Sequence, residues 1–159
     1  VKQHLRPLRG FTLVEMMVTI AIAALLGLMV VPNLVSMVDS GKTSVLVNKF
    51  PQDVAWARNQ AVTTQQPVTI TLGANTCTWS TSVGGTVSAE HSLTASQLAA
   101  SYPNVSCTIT GGTAQTLTFD SQGFINTAPT ITVTAAHGQT WTLQVLASGS
   151  VILNAYTAS

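Results

Sequence analysis

"PLRGFTLVEMMVTIAIAALLGLMVVPN", residues 7–33, is the stretch on which the reading of this chain turns. An apolar run begins directly after Arg9-Gly10 and carries a single carboxylate, Glu15. From Phe11 to Val31 only Thr12, Glu15 and Thr19 interrupt it. As a helix rising 1.5 Å per residue, about 21 residues cover roughly 30 Å, the thickness of a hydrocarbon core. The segment can therefore span a bilayer. A charge inside it costs about 2.5–3.5 kcal/mol on insertion scales, so Glu15 requires a partner.

The 159 residues suit one domain, with 46% hydrophobic and only 7% charged side chains. The net charge of +1 is unevenly placed: Lys2, Arg6 and Arg9 all precede Gly10. From Phe11 onward, Lys42, Lys49 and Arg58 face Glu15, Asp39, Asp53, Glu90 and Asp120, a net of −2. This remainder is slightly acidic, which argues against an extended nucleic-acid surface. Positive charge just before an apolar run holds that end in the cytoplasm. Residues 1–10 are thus expected inside and residues beyond about 38 outside. The run ends "VVPNLVSMVDSGK" (30–42), with no small-x-small cleavage site, so the apolar segment is expected to be retained.

Cys77 and Cys107 lie 30 residues apart, beyond the apolar run and without C-x-x-C spacing. In an exported domain they read as one disulfide, with two buried free thiols as the alternative.

"RGFTLVEMM" (9–17) resembles the processing site of type IV prepilins and pseudopilins: a short basic leader ending in glycine, then Phe, a Thr-Leu pair, and Glu at the fifth mature position. The resemblance implies cleavage between Gly10 and Phe11 by a prepilin peptidase, with methylation of the new Phe11 amine. It also implies a partner for Glu15. Cleavage creates an α-amino group four residues away, and in a filament the carboxylate meets the amine of a neighbouring subunit. Snorkelling to a headgroup, or a protonated carboxyl, is the alternative.

Beyond Pro32, Leu46, Phe50, Val54, Ala57 and Ala61 recur at spacings of three and four, one face of a helix. Pro51 interrupts this stripe, and one long, bent helix ending near Thr64 is expected rather than two. From Gln66 the texture changes to short Thr- and Val-rich alternations. "PVTITL" (67–72), "TCTWST" (76–81), "VSCTIT" (105–110), "QTLTFD" (115–120), "TITVTA" (130–135), "TWTLQVL" (140–146) and "SVILNAY" (150–156) read as strands. "ANT", "VGGT", "TGGT" and "SQGF" read as turns. Segment 84–104 is irregular in pattern, with a short helix as one option in "TASQLAASYPN". The sum is an α+β architecture, a long N-terminal helix laid on an antiparallel sheet.

"DVAWARNQAVTTQQPVTITL" (53–72) is similar to the helix end and first strand of GspH/FimT-type minor pilins and pseudopilins, with their Ala-Arg-x-x-Ala helix ending. "LTFDSQGFI" (117–125) resembles that family's strand and Phe-x-x-x-Gly turn. The resemblance implies the type IV pilin-like fold. Its segments here are a leader at 1–10, a transmembrane and assembly helix at 11–37, an amphipathic helix at 38–65, and a periplasmic β-rich domain at 66–159.

Catalytic chemistry is not indicated. His4, His91 and His137 are scattered without metal-ligand spacing. His137 and Asp120 with a serine lack a nucleophile elbow. After residue 66 the acids are only Glu90 and Asp120, too few for a calcium cage, so neither metal nor cofactor is expected. Trp79, Tyr102, Trp141 and Tyr156 fall in or beside strand candidates and read as core. Arg58 reads as a solvated or capping arginine on the polar side of the helix. FimT-type members linked to DNA uptake carry Gly-Arg-x-Arg near the C-terminus, whereas "ASGSVILNAY" (147–156) has no arginine after Gly149, and no Lys or Arg follows Arg58. No nucleic-acid partner is expected.

The expectation is a filament subunit of the bacterial inner membrane. It is either a type II secretion pseudopilin or a type IV minor pilin for adhesion or DNA uptake, with other pilins, the prepilin peptidase and the membrane as partners. A membrane-anchored domain that never polymerises is the third option.

Overall fold

The computed structural model describes residues 11–111, 113, 115–135 and 138–157, excepting the side chains of Met29, Val31, Pro32, Asn33, Val35, Ser36 and residues 155–157. His4, Gly10, His137 and the side chain of Tyr156 lie outside the described residues. Two compact units are present, Val1–Met37 and Val38–Ser159, and helix α1 (Leu13–Thr64) supplies residues to both.

In the first unit the described apolar side chains of α1 lie uncovered. Leu13, Val14, Met17, Ile20, Leu25 and Leu28 are all exposed. Among the described residues no helix is long and apolar enough to cross a membrane. The side chains described without a gap run from Leu13 to Leu28 and cover only roughly 24 Å of helix axis. The span expected over 11–31 thus extends into side chains outside the description.

In the second unit α1 has one buried face, and it is the stripe read from the sequence: Leu46, Phe50, Val54, Ala57 and Ala61, joined by Thr43, Val47 and Asp53. The helix runs through Pro51. An interior proline costs about 3 kcal/mol, which the burial of Val47, Phe50 and Val54 around it offsets. At the C-terminus the Gln65 side chain donates from Nε2 to the Val62 carbonyl at 2.7 Å, and Gln65 takes a left-handed backbone at φ 56°. Pro67 follows and prevents continuation.

The strands are β1 (Val68–Leu72), β2 (Trp79–Val83), β3 (Thr86–Leu93), β4 (Ser106–Ile109), β5 (Gln115–Phe119), β6 (Thr130–Thr134), β7 (Thr140–Val145) and β8 (Val151–Thr157). Helix α2 (Ala95–Ser101) opens on a Thr94–Gln97 capping box. The expected antiparallel sheet is divided into two four-stranded sheets, ordered β3-β2-β1-β5 and β4-β6-β7-β8. Both are antiparallel throughout, with Ile70 opposite Thr81 and Leu117, and Ile131 opposite Leu143 and Ile109. The buried face of α1 and the inward residues of both sheets form one core, with Phe119, Ile70, Leu117, Leu143 and Val145 wholly enclosed.

Two expectations are corrected. Segment 84–104 holds a full strand, β3, besides the short helix. Val87, Ala89, His91 and Leu93 do alternate with polar residues there, but Ala, Glu and Ser dilute the β-propensity that marks a strand. The strand expected at 76–81 starts only at Trp79. Before it, the Gly73 amide donates to the Thr78 carbonyl at 3.0 Å and closes a turn that contains Cys77.

Candidate assembly site

Helix α1 begins at a capping box. The Glu15 amide donates to Thr12 Oγ1 at 3.2 Å, and the Thr12 amide donates to Glu15 Oε2 at a long 3.5 Å. This reciprocal Thr-x-x-Glu arrangement satisfies orphan donors of the first turn. The carboxylate also sits at the positive end of the helix dipole. Glu15 therefore has a local role that the apolar setting of the sequence hid, although "TLVE" carries the signature. The 3.5 Å contact is weak by hydrogen-bond geometry. Among the described residues the carboxylate has no other bond, so an amine from outside the chain could still reach it. Phe11, 74% exposed, precedes this turn.

Cys77 and Cys107 are joined by a disulfide with Cα atoms 5.0 Å apart. It ties the turn before β2 in the first sheet to β4, an edge strand of the second. Both cysteines are buried against the core.

A second polar centre was not anticipated from the sequence. The Asp53 carboxylate, 3% exposed, is buried between α1, β2 and β3. Lys49 Nζ donates to its Oδ2 at 2.9 Å and Trp79 Nε1 donates to the same oxygen at 2.8 Å. His91 Nδ1 lies 3.0 Å from Oδ1, so this nitrogen carries the proton. Lys49 also donates to the Glu90 carbonyl, and the His91 ring stacks on Trp56 with centroids 3.8 Å apart. Helix α1 and strands β2 and β3 thus each send Asp53 a donor, as a buried charge requires. The Lys49–Asp53 spacing of four was a visible signal; Trp79 and His91 come from strands that no local pattern connects to it.

The remaining candidates fall as follows. Trp79 and Trp141 are buried in the core, and Tyr102 ends α2 half-buried. Asp120 Oδ1 accepts from the amides of Gln122 and Phe124, fixing the turn after β5. Glu90 lies exposed on β3. No group of three metal-ligating side chains exists among the described residues. Arg58 is exposed on α1, with its stem against the turns at Gly123 and Gly149.

A capped helix with an uncovered apolar start, carried by an α+β head of two antiparallel sheets, defines a type IV pilin-like subunit. The family model for Type II transport protein GspH matches residues 46–149, and that for the prokaryotic N-terminal methylation motif matches residues 6–31. The chain belongs to the GspH family. Its fold is similar to crystal structures of the type IV minor pilin FimU from Pseudomonas aeruginosa strain PAO1. One in space group P21 gives a TM-score of 0.54 at 15% identity, covering 75% of this chain and 92% of that one. Another in space group P65 gives 0.50 at 16%, covering 70% and 92%. No curated protein gives a significant match. The family and fold are those of structural subunits, minor pilins and pseudopilins.

Proposed function

We propose that this chain is a GspH-type minor subunit of a type II secretion pseudopilus, or of the related type IV pilus, that works through filament assembly. The observation that carries the reading is the GspH-family head joined to a processing-type N-terminus whose described apolar helix side chains are exposed. A prepilin peptidase cuts between Gly10 and Phe11 and methylates Phe11. The helix holds the subunit in the inner membrane with the head in the periplasm, an oxidising compartment that suits the Cys77–Cys107 bond. Other pilins cover the helix on assembly, and Glu15 meets the terminal amine of a neighbour. Nucleic acid is not a partner. Of the cations after Gly10, Lys49 is already engaged by Asp53, which leaves no patch for phosphates.

The test separates the charge of Glu15 from its capping role. Glu15→Gln keeps a capping-box residue, whereas Glu15→Ala removes it. Both variants are expected to reach the membrane as the parent does, and both are expected to enter sheared filaments at least roughly tenfold less, equivalent to about 1.4 kcal/mol. Filament entry of Glu15→Gln at the parental level would refute the pairing. Absence of the parent from filaments would favour a domain that does not polymerise.

A further inference from the structure

Three pieces of sequence far apart along the chain converge on Arg58. Gly123, in the turn after β5, and Gly149, in the β7–β8 turn, are both buried and have backbone φ of +82° and +74°. A side chain at either is excluded by more than the backbone. A Cβ on Gly123 would sit 3.0 Å from Arg58 Cγ and Nε, and one on Gly149 would sit 3.1 Å from Arg58 Cδ and 2.7 Å from the Gly123 carbonyl oxygen. Glycine at both turns therefore leaves a bed in which the arginine stem lies flat, with Val62 and Phe119 beside it. The stem, through Cγ, Cδ and Nε, is packed against the two turns before any ligand arrives, which lowers the ordering cost of binding.

The head has five donors and finds no acceptor among the described residues. It borders a cleft of about 360 Å³ formed by α1 and the start of β8, with Ala55, Asn59 and Ser150 along its walls. The cleft contains no acid. Within residues 50–159 Arg58 is the only Lys or Arg, so a polyphosphate backbone, which draws several cations into one patch, does not fit. One fork-shaped cation matches one carboxylate, in bidentate geometry. The Asn59 amide and the Ser150 hydroxyl can add neutral hydrogen bonds at the rim.

We infer that the Arg58 cleft is a docking site for a carboxylate side chain of a neighbouring filament subunit, held between α1 and the β7–β8 turn. The inference rests on the filament reading above, in which a neighbouring subunit lies against this chain.

A photoreactive phenylalanine analogue at position 52 of the full chain tests it in cells that make the filament. Gln52 is exposed, next to Pro51 of the cleft wall and three and seven residues before Ala55 and Asn59 on the same helix face. Light should join it to a pilin-type subunit through a peptide that contains Asp or Glu. Arg58→Met keeps the stem on its glycine bed and removes the fork. Ser150→Glu, at an exposed turn position, fills the cleft from within. Each should lower the cross-link yield, counted per chain present in filaments, roughly tenfold, the loss of one charge-assisted pair. An undiminished yield in both variants, or a joined peptide without an acid, overturns the docking site alone. If the parental chain is missing from filaments, the filament reading falls and the docking site with it.

Discussion

Lys49→Met is expected to destabilise the folded chain by about 3 kcal/mol, the low end of the range for leaving a buried charge without its counterion. The size follows from the burial of Asp53 and the asymmetry of its partners. Lys49 supplies the full positive charge at 2.9 Å, while Trp79 and His91 supply N–H donors at 2.8 and 3.0 Å. Removing the lysine leaves the carboxylate enclosed with the two donors only. Denaturant unfolding of the detergent-solubilised chain measures the loss. The companion variant discriminates the cause. In Lys49→Met combined with Asp53→Leu no charge remains, and an apolar pair in place of a buried ion pair is often neutral or better. That double variant should be less destabilised than the sum of the two single variants, although the Trp79 and His91 N–H donors both lose the carboxylate, at roughly 1–3 kcal/mol for each that stays buried. Additive effects of the two substitutions would show that no coupling exists between them.

Reduction of the Cys77–Cys107 bond is expected to lower stability by about 3.6 kcal/mol, from the loop-closure relation for a 30-residue separation. The physical reason lies in where the bond sits. Both sheets contribute to one core, yet the only covalent route from the Cys77 turn to β4 is otherwise the chain through β2, β3 and α2. Opening the bond frees that whole loop in the unfolded state. A Cys77→Ser, Cys107→Ser double variant should show the same shift as reductant. Alkylation of the unreduced native protein should label neither cysteine. Labelling of both there would mean that the cross-link does not form in the cell.

Much of this structure could be read from the residues because its signals are local. The stripe of Leu46, Phe50, Val54, Ala57 and Ala61 is a helical period, and those side chains are buried. The strands from "PVTITL" (67–72) to "TWTLQVL" (140–146) alternate, and Gly- or Asn-bearing turns follow most of them. Division into two sheets was hidden, because strand order depends on which hydrogen-bonded partners meet across long loops: β5 joins β1 across 43 residues at Leu72 and Gln115. Strand β3 was hidden by its own composition. The Asp53 centre was hidden for a third reason, since a buried acid looks like a surface acid until the strands that supply Trp79 and His91 are placed. The Arg58 bed was half visible. Its three parts, "AWARNQA", the Phe119-x-x-x-Gly123 turn and Gly149, are each visible in the sequence, but only the fold brings them together.

Assembly through Glu15 depends on a free amine at Phe11, four residues away. The direct test is the intact mass and N-terminal peptide of the membrane form from cells with an active prepilin peptidase. The account requires a chain that begins at Phe11 with one added methyl group on its amine. A mature chain that still carries Arg9-Gly10 ahead of Phe11 would contradict it.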